Sequence, residues 1–399
     1  MSPKLHVKDM ELKGKNVLTR VDFNVPLSQD GAVSDDTRIK RALPTIRHII
    51  DHGGKAVLAS HLGRPKGQRV PSMSLKPVAE RLSELLGREV AMAPDSVGDT
   101  TEGLVARMED GDVLMLENLR FHAGETENEA DFARRLARMG DLYVDDAFGT
   151  AHRAHASTVG VTEYFEKRGM GFLIENEIEM LSKATDEPRK PYVAIMGGAK
   201  VSDKIGVIEN LMPKVDALLV GGGMAFTFLA ARGKGVGASL LERDKVDKAG
   251  ELLAKAEELE KALVLPSDVV VTEEVSEGAY SRVVDVDSIE AGWHGVDIGP
   301  QTVREFESKI SKANTIAWNG PLGVFEIPEF ASGTTAVAKA VAERTSQGAV
   351  SIIGGGDSAA AVVAAGLEER VTHVSTGGGA SLSFLEGRPL PAIEALTDV

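Results

Sequence analysis

The chain has 399 residues, 43% hydrophobic and 26% charged, with no cysteine, a balance that excludes a disordered or fibrous chain, disulfides and thiol chemistry. Its formal charge of −15 argues against general nucleic-acid binding. No apolar run approaches membrane-spanning length and the polar start lacks a signal-peptide core, so a cytoplasmic enzyme of two to three domains is expected.

Apolar, β-rich runs predict strands at 17–23, 56–60, 113–117 and 142–145, with helices at 38–51, 75–86 and 129–139 between them. A helix over 172–183 follows, then a polar, proline-containing linker over 185–191. The second half predicts strands at 192–196, 217–220, 262–265, 315–318, 350–353 and 373–375, and helices at 204–210, 224–232, 245–261, 302–311, 334–344 and 358–366. Continuous apolar strands alternating with helices define an α/β fold with parallel sheets covered on both faces, and the length accommodates two of them. The helix over 172–183 is either a hinge between the two or an ordinary helix of one sheet.

Glycine triplets at 221–223, 354–356 and 377–379 each follow an apolar run and precede a helical stretch. Such turns let backbone N–H groups and a helix N-terminus approach phosphate. Asp357, directly after the second triplet, would repel phosphate unless a cation such as Mg²⁺ lay between them; plain capping of the helix by Asp357 or Ser358 is the simpler reading, and it is compatible with the metal role. Lys200 and Lys204, four residues apart at a helix start, can meet one polyphosphate, although the spacing is not that of a Walker A loop. The loop 318–326 is held by two glycines and a proline; Glu326 there offers an acceptor to ribose hydroxyls, or the loop is a plain rigid turn.

The first half carries different chemistry and the more balanced charge, −2 over residues 1–170 against −13 over 171–399, with seven of the nine histidines. Asp22 and Asn24 end one strand, His61 and Arg64 the next, Arg120 a third and Arg153 a fourth, with Arg38 at a helix start. Singly these arginines read as surface charges; together at strand ends they favour an anion pocket built on guanidinium forks. Asp145 and Asp146 are expected to pair with them rather than to do acid–base work. No Ser–His–Asp spacing or zinc motif is present. A kinase for a small anionic acceptor fits, because phosphoryl transfer needs positioning and charge neutralisation more than a covalent nucleophile.

The segments 21–26, 198–204, 318–326 and 354–357 resemble the phosphoglycerate kinase family, and the resemblance runs on to 373–379, nearly the whole chain. It implies two Rossmann-like domains joined by a hinge helix: a phosphoglycerate-binding domain over 1–171, an interdomain segment over 172–190 and a nucleotide-binding domain over 191–379, with a tail over about 380–399 packing back on the first. It implies a monomer that exchanges phosphate between 1,3-bisphosphoglycerate and Mg·ADP, giving 3-phosphoglycerate and ATP after domain closure, with no nucleic-acid or membrane partner. The implied phosphoglycerate site is Asp22, Phe23, Asn24, Arg38, His61, Leu62, Gly63, Arg64, Arg120 and Arg153. The implied nucleotide site is Lys200, Lys204, Gly223, Gly295, Gly320, Leu322, Glu326, Gly354, Gly355, Gly356, Asp357 and Ser358. Arg38, Lys200 and the amides of Gly355 and Gly356 would stabilise the moving phosphoryl group, and Asp357 would hold Mg²⁺. Departures are few: His294, Val296 and Leu322 stand where Met, Leu and Val are usual, and Asn176 where a basic residue is frequent. Two other readings compete with this one. The turn 353–359 also resembles that of thioredoxin reductase-like enzymes, whose redox cysteines are impossible here. A non-catalytic nucleotide sensor is opposed by intact Arg38, Lys200 and Asp357.

Overall fold

A computed structural model describes residues 2–186 and 188–399; Met1, and Glu187 of the expected linker, lie outside the described residues. The chain divides into two compact units, one formed by residues up to Ile178 together with Pro389–Val399, the other by Glu179–Arg388.

The first unit is built on six strands: β1 (Asn16–Val21), β2 (Lys55–Ala59), β3 (Ala91–Met92), β4 (Val113–Met115), β5 (Leu142–Asp146) and β6 (Arg168–Met170). They lie in the order β3-β4-β2-β1-β5-β6, and every pair is parallel. Side chains alternate across a strand, and here both faces are covered. Val17, Val21, Ala56 and Leu58 pack with Ile39, Ile46 and Ile49 of the helix Thr37–Asp51. Leu18, Val57, Ala59 and Leu114 face the other way, onto Phe132 and Leu136 of the helix Ala130–Ala137. That is why these strands read as unbroken apolar runs.

The second unit repeats the plan with β7 (Tyr192–Met196), β8 (Ala217–Val220), β9 (Ala262–Val264), β13 (Thr315–Asn319), β14 (Val350–Gly354) and β15 (His373–Val374). Their order is β15-β14-β13-β7-β8-β9, again wholly parallel. A third sheet was not expected: β10 (Asp268–Thr272), β11 (Ser281–Asp285) and β12 (His294–Ile298) form an antiparallel sheet with β10 in the middle. The short strands β3 and β6 were not expected either.

The helix predicted over 172–183 spans Phe172–Thr185. The segment returning to the first unit begins at Pro389 rather than near residue 380. The helix Gly379–Leu385 stays in the second unit because it packs on the helix Ile205–Leu211, where Asn210 Nδ2 donates to the Leu385 carbonyl at 2.7 Å. Among the described residues no helix is long and apolar enough to cross a membrane. In both large sheets parallel pairing brings all the strand carboxyl ends to one edge, where open α/β sheets place ligands.

Candidate active site

In the first unit the chain leaves β1 at Val21 and turns out of the sheet. The Phe23 side chain is fully buried in the core and its N–H donates to Ser60 Oγ at 2.9 Å, which fixes where Asp22 and Asn24 emerge. Asp22 Oδ2 accepts from Arg38 Nη1 at 2.7 Å. Asn24 Oδ1 accepts the Gly63 N–H at 2.9 Å. Asn118 pins the same loop: its Oδ1 accepts the Leu62 N–H at 3.2 Å and its Nδ2 donates to the Leu62 carbonyl at 2.7 Å. Arg120 Nη1 closes the chain on the Gly63 carbonyl at 2.9 Å. Three strand-end loops are thereby interlocked. Phe23 and Leu62 point into the core, so these two residues can meet a ligand only through their backbone.

Arg64, Arg120 and Arg153, with Lys66, Thr126 and His155, line a cavity of about 210 Å³. Its electrostatics are those of an anion site. Arg120 is buried and its Nε has no partner. Burial, then the charges of Arg20 and Arg153, lower its pKa to about 10. Burial followed by Arg120 and Arg20 lowers His155 to about 4. Burial, then Arg20, Arg120 and Arg38, push His61 well below its ordinary value. Cations crowded in a low-dielectric site are stabilised by a bound anion.

The pairing expected for Asp145 and Asp146 is not formed. Asp145 Oδ1 accepts the Ala147 N–H at 2.9 Å. Asp146 Oδ1 accepts the N–H groups of Leu173 (2.9 Å) and Ile174 (3.3 Å), the first turn of the helix Phe172–Thr185. Both carboxyls are fully buried, and burial pushes each up to about 7; nearby backbone donors, not arginines, fix their orientation. Sequence reasoning missed Arg20, Lys66, Thr126 and His155. Arg20 carried a usable signal, since a charge inside a strand covered on both faces demands a partner.

In the second unit the ends of β7, β8 and β13 approach so closely that side chains do not fit. A Cβ on Gly197 would lie 2.1 Å from the Pro321 carbonyl oxygen, and one on Gly320 2.1 Å from that of Gly197. The result is a cavity of about 240 Å³ whose walls include Gly198, Gly223, Gly295, Leu322, Glu326 and Asp357. Gly295 comes from β12; a Cβ there would collide with Phe226 Cζ at 1.9 Å. The unexpected third sheet therefore supplies one wall, with Val269, Asp297 and Ile298.

Gly355, at φ +89°, precedes the nine-residue helix Gly356–Ala364, and no side chain caps that helix. Its first N–H groups are left for an anion. Ser358 neither caps the helix nor is exposed: its buried hydroxyl accepts the Gly320 N–H at 2.5 Å and ties β13 to the glycine turn. Gly354 ends β14 beside Asn319 Nδ2, 3.3 Å from where its Cβ would be. Lys204 Nζ donates to Asn319 Oδ1, and burial lowers its pKa. Lys200 is exposed. Lys200, Lys204, Gly320 and the triplet 354–356 are not among the cavity's lining residues.

Among the described residues no group of three His, Asp or Glu side chains is arranged to hold a metal. Asp357 is an exposed carboxylate in the first turn of an uncapped helix and borders the cavity. That donor set suits a hard cation completing its shell with phosphate oxygens and water.

Parallel sheets covered on both faces, with a glycine cradle at the strand ends of one unit and a cationic pocket at those of the other, define a phosphotransferase of the α/β class. The model of the family "Phosphoglycerate kinase" matches residues 7–388. The chain is 55% identical over 392 residues to the phosphoglycerate kinase of Chloroherpeton thalassium, covering 98% of each. It is 54% identical over 392 residues to the cytosolic phosphoglycerate kinase of Nicotiana tabacum, covering 98% of each. The solved structure of phosphoglycerate kinase from Coxiella burnetii matches with a TM-score of 0.89 and 44% identity over 98% of both chains. The chain belongs to the phosphoglycerate kinase family.

Proposed function

We propose that this chain catalyses the reversible transfer of a phosphoryl group between the acyl phosphate of 1,3-bisphosphoglycerate and Mg·ADP, giving 3-phosphoglycerate and ATP, as a glycolytic monomer of the cytoplasm. The bond from phosphorus to the acyl oxygen breaks as one to a β-phosphate oxygen of ADP forms. The leaving carboxylate is ionised at neutral pH, so no general base is required. The acceptor acid binds in the first unit at Asp22, Asn24, Arg38, His61, Arg64, Arg120 and Arg153, with the backbone of Phe23, Leu62 and Gly63 shaping the loops. The nucleotide binds in the second unit between Gly223, Gly295, Leu322 and Glu326, its phosphates running toward Lys204, Gly354, Gly355, Gly356 and Asp357. Gly320 and Ser358 hold that loop together. Asp357 holds the Mg²⁺ that enters with the nucleotide, and the bound ion neutralises phosphate charge. Arg38, Lys200 and the amides of Gly355 and Gly356 stabilise charge on the transferring group. Transfer requires the two bound ligands to meet with water excluded.

The observation that carries this reading is the buried Arg120, whose Nε has no partner, in a cavity it lines together with the more exposed Arg64 and Arg153; such a buried donor is costly unless an anion completes it. The test is a coupled assay with 3-phosphoglycerate, ATP and Mg²⁺, with and without EDTA. Acyl-phosphate formation that needs all three supports it. Nucleotide binding by calorimetry without turnover would make the chain a sensor instead.

A further inference from the structure

Arg20 sits inside β1, 1% exposed, and each of its side-chain nitrogens has an acceptor. Nε donates to Ser157 Oγ at 2.9 Å, Nη1 to the Val21 carbonyl and Nη2 to His61 Nδ1 at 3.1 Å. Ser157 is held in turn: its hydroxyl donates to Glu125 Oε1 at 2.6 Å and its N–H to Oε2 at 3.0 Å. The direction of every proton in this chain is therefore fixed. A guanidinium only donates, so His61 Nδ1 must accept with a bare lone pair. The proton of a neutral ring then lies on Nε2, which has no protein partner among the described residues. A second ring proton would face Arg20 directly, with Arg38, Arg120 and His155 also adding positive charge or the potential for it.

We infer that Arg20 is a positioning residue that fixes His61 as a neutral Nε2–H donor for an anionic oxygen of the acceptor acid. This rests on the reading of His61 as an acceptor ligand given above. Arginines hold the charge of a short phosphorylated hydroxy acid; a neutral donor with one defined N–H direction selects its orientation without adding to the repulsion among the cations.

The experiment is long-range ¹H–¹⁵N correlation on the full chain labelled with ¹⁵N-histidine, with His61 assigned from its absence in His61→Gln. The expected spectrum has an unprotonated Nδ1 and a protonated Nε2. Arg20→Met, checked for folding by circular dichroism, should mix the tautomers and raise KM for 3-phosphoglycerate about tenfold, with KM for ATP unchanged. If Arg20→Met does not fold, Ser157→Ala, which removes the Nε acceptor together with one hydroxyl donor to Glu125 and leaves the contact of Nη2 with His61 in place, should show the same change in smaller measure. A wild-type His61 protonated on Nδ1 overturns the inference, and does so independently of whether His61→Gln raises KM for 3-phosphoglycerate. If the tautomer is as expected but His61→Gln leaves that KM unchanged, the acceptor assignment falls, and the positioning role with it.

Discussion

Asp22 Oδ2 accepts a hydrogen bond from Arg38 Nη1 at 2.7 Å, and among the described residues this is the one ion pair made by Arg38, Arg64, Arg120 and Arg153. The pair holds the guanidinium at the carboxyl edge of the first sheet while leaving its other N–H groups uncommitted. Arg38→Ala should lower kcat by about 10²–10³-fold, the usual loss of a donor aimed at developing charge. Nucleotide affinity, read by calorimetry with ADP, should stay at the wild-type value. Equal turnover in variant and wild type would remove Arg38 from the chemistry.

Asp357 borders the glycine-lined cavity without a metal-binding cluster around it. Asp357→Ala should therefore abolish the gain in ADP affinity that Mg²⁺ brings, while ADP binding in EDTA matches the wild type or improves slightly. Titrations of the two proteins with and without Mg²⁺ measure this directly. A Mg²⁺ effect of the same size in both would place the ion elsewhere.

Gly295 presses against the ring of Phe226. Gly295→Ala has to displace that ring, an overpacking that costs about 1–3 kcal/mol of stability. It also reshapes the cavity wall, so KM for ATP should rise with KM for 3-phosphoglycerate unchanged. Urea unfolding and steady-state kinetics give the two readouts. An unchanged midpoint would mean that the ring moves freely.

Burial pushes Asp297 up to about 7, whereas an unfolded aspartate titrates near 3.9. Between these values the folded chain keeps a proton that the unfolded chain has lost, so this group's contribution to stability falls as pH rises from about 4 to about 7. Relative to wild type, Asp297→Asn should improve as pH is raised from 5 to 7, by up to about 1.4 kcal/mol per pH unit. Its amide replaces one of the oxygens that accept Ile298 and Gly333 N–H groups, which sets a constant offset. Urea midpoints across that range measure the slope, and a flat difference would show an ordinary carboxylate.

The two large sheets were legible because their central strands are buried on both faces and read as apolar runs. The third sheet was not. Val283 of β11 is 51% exposed, so the strand carries no continuous apolar signal, and β10 follows β9 too closely to suggest a helix-linked neighbour. The two residues of β3 and three of β6 are too few to show any periodicity. Within the site, basic residues just after strands could be found by position. Arg20 could not, because it lies inside the run that identified β1. Asp145 and Asp146 were misread for one shared reason: backbone N–H groups orient them, and such donors leave no mark on spacing or composition.

The edge strand β6 is finished by two segments far apart in sequence, around Leu5 and around Thr397. Leu5 joins it through the Met170 N–H at 2.8 Å, the Thr397 N–H donates to the Arg168 carbonyl at 3.0 Å, and the Leu5 N–H donates to the Thr397 carbonyl at 2.8 Å. A ribosome makes Thr397 only after the whole of the second unit. The first unit, although it is translated first, therefore waits through some two hundred further residues with one sheet margin unsealed. Open margins are where nascent chains pair wrongly. The stretch around Thr397, made after the second unit, acts as the closing stitch, so for this sheet the order of translation is the reverse of the order of completion.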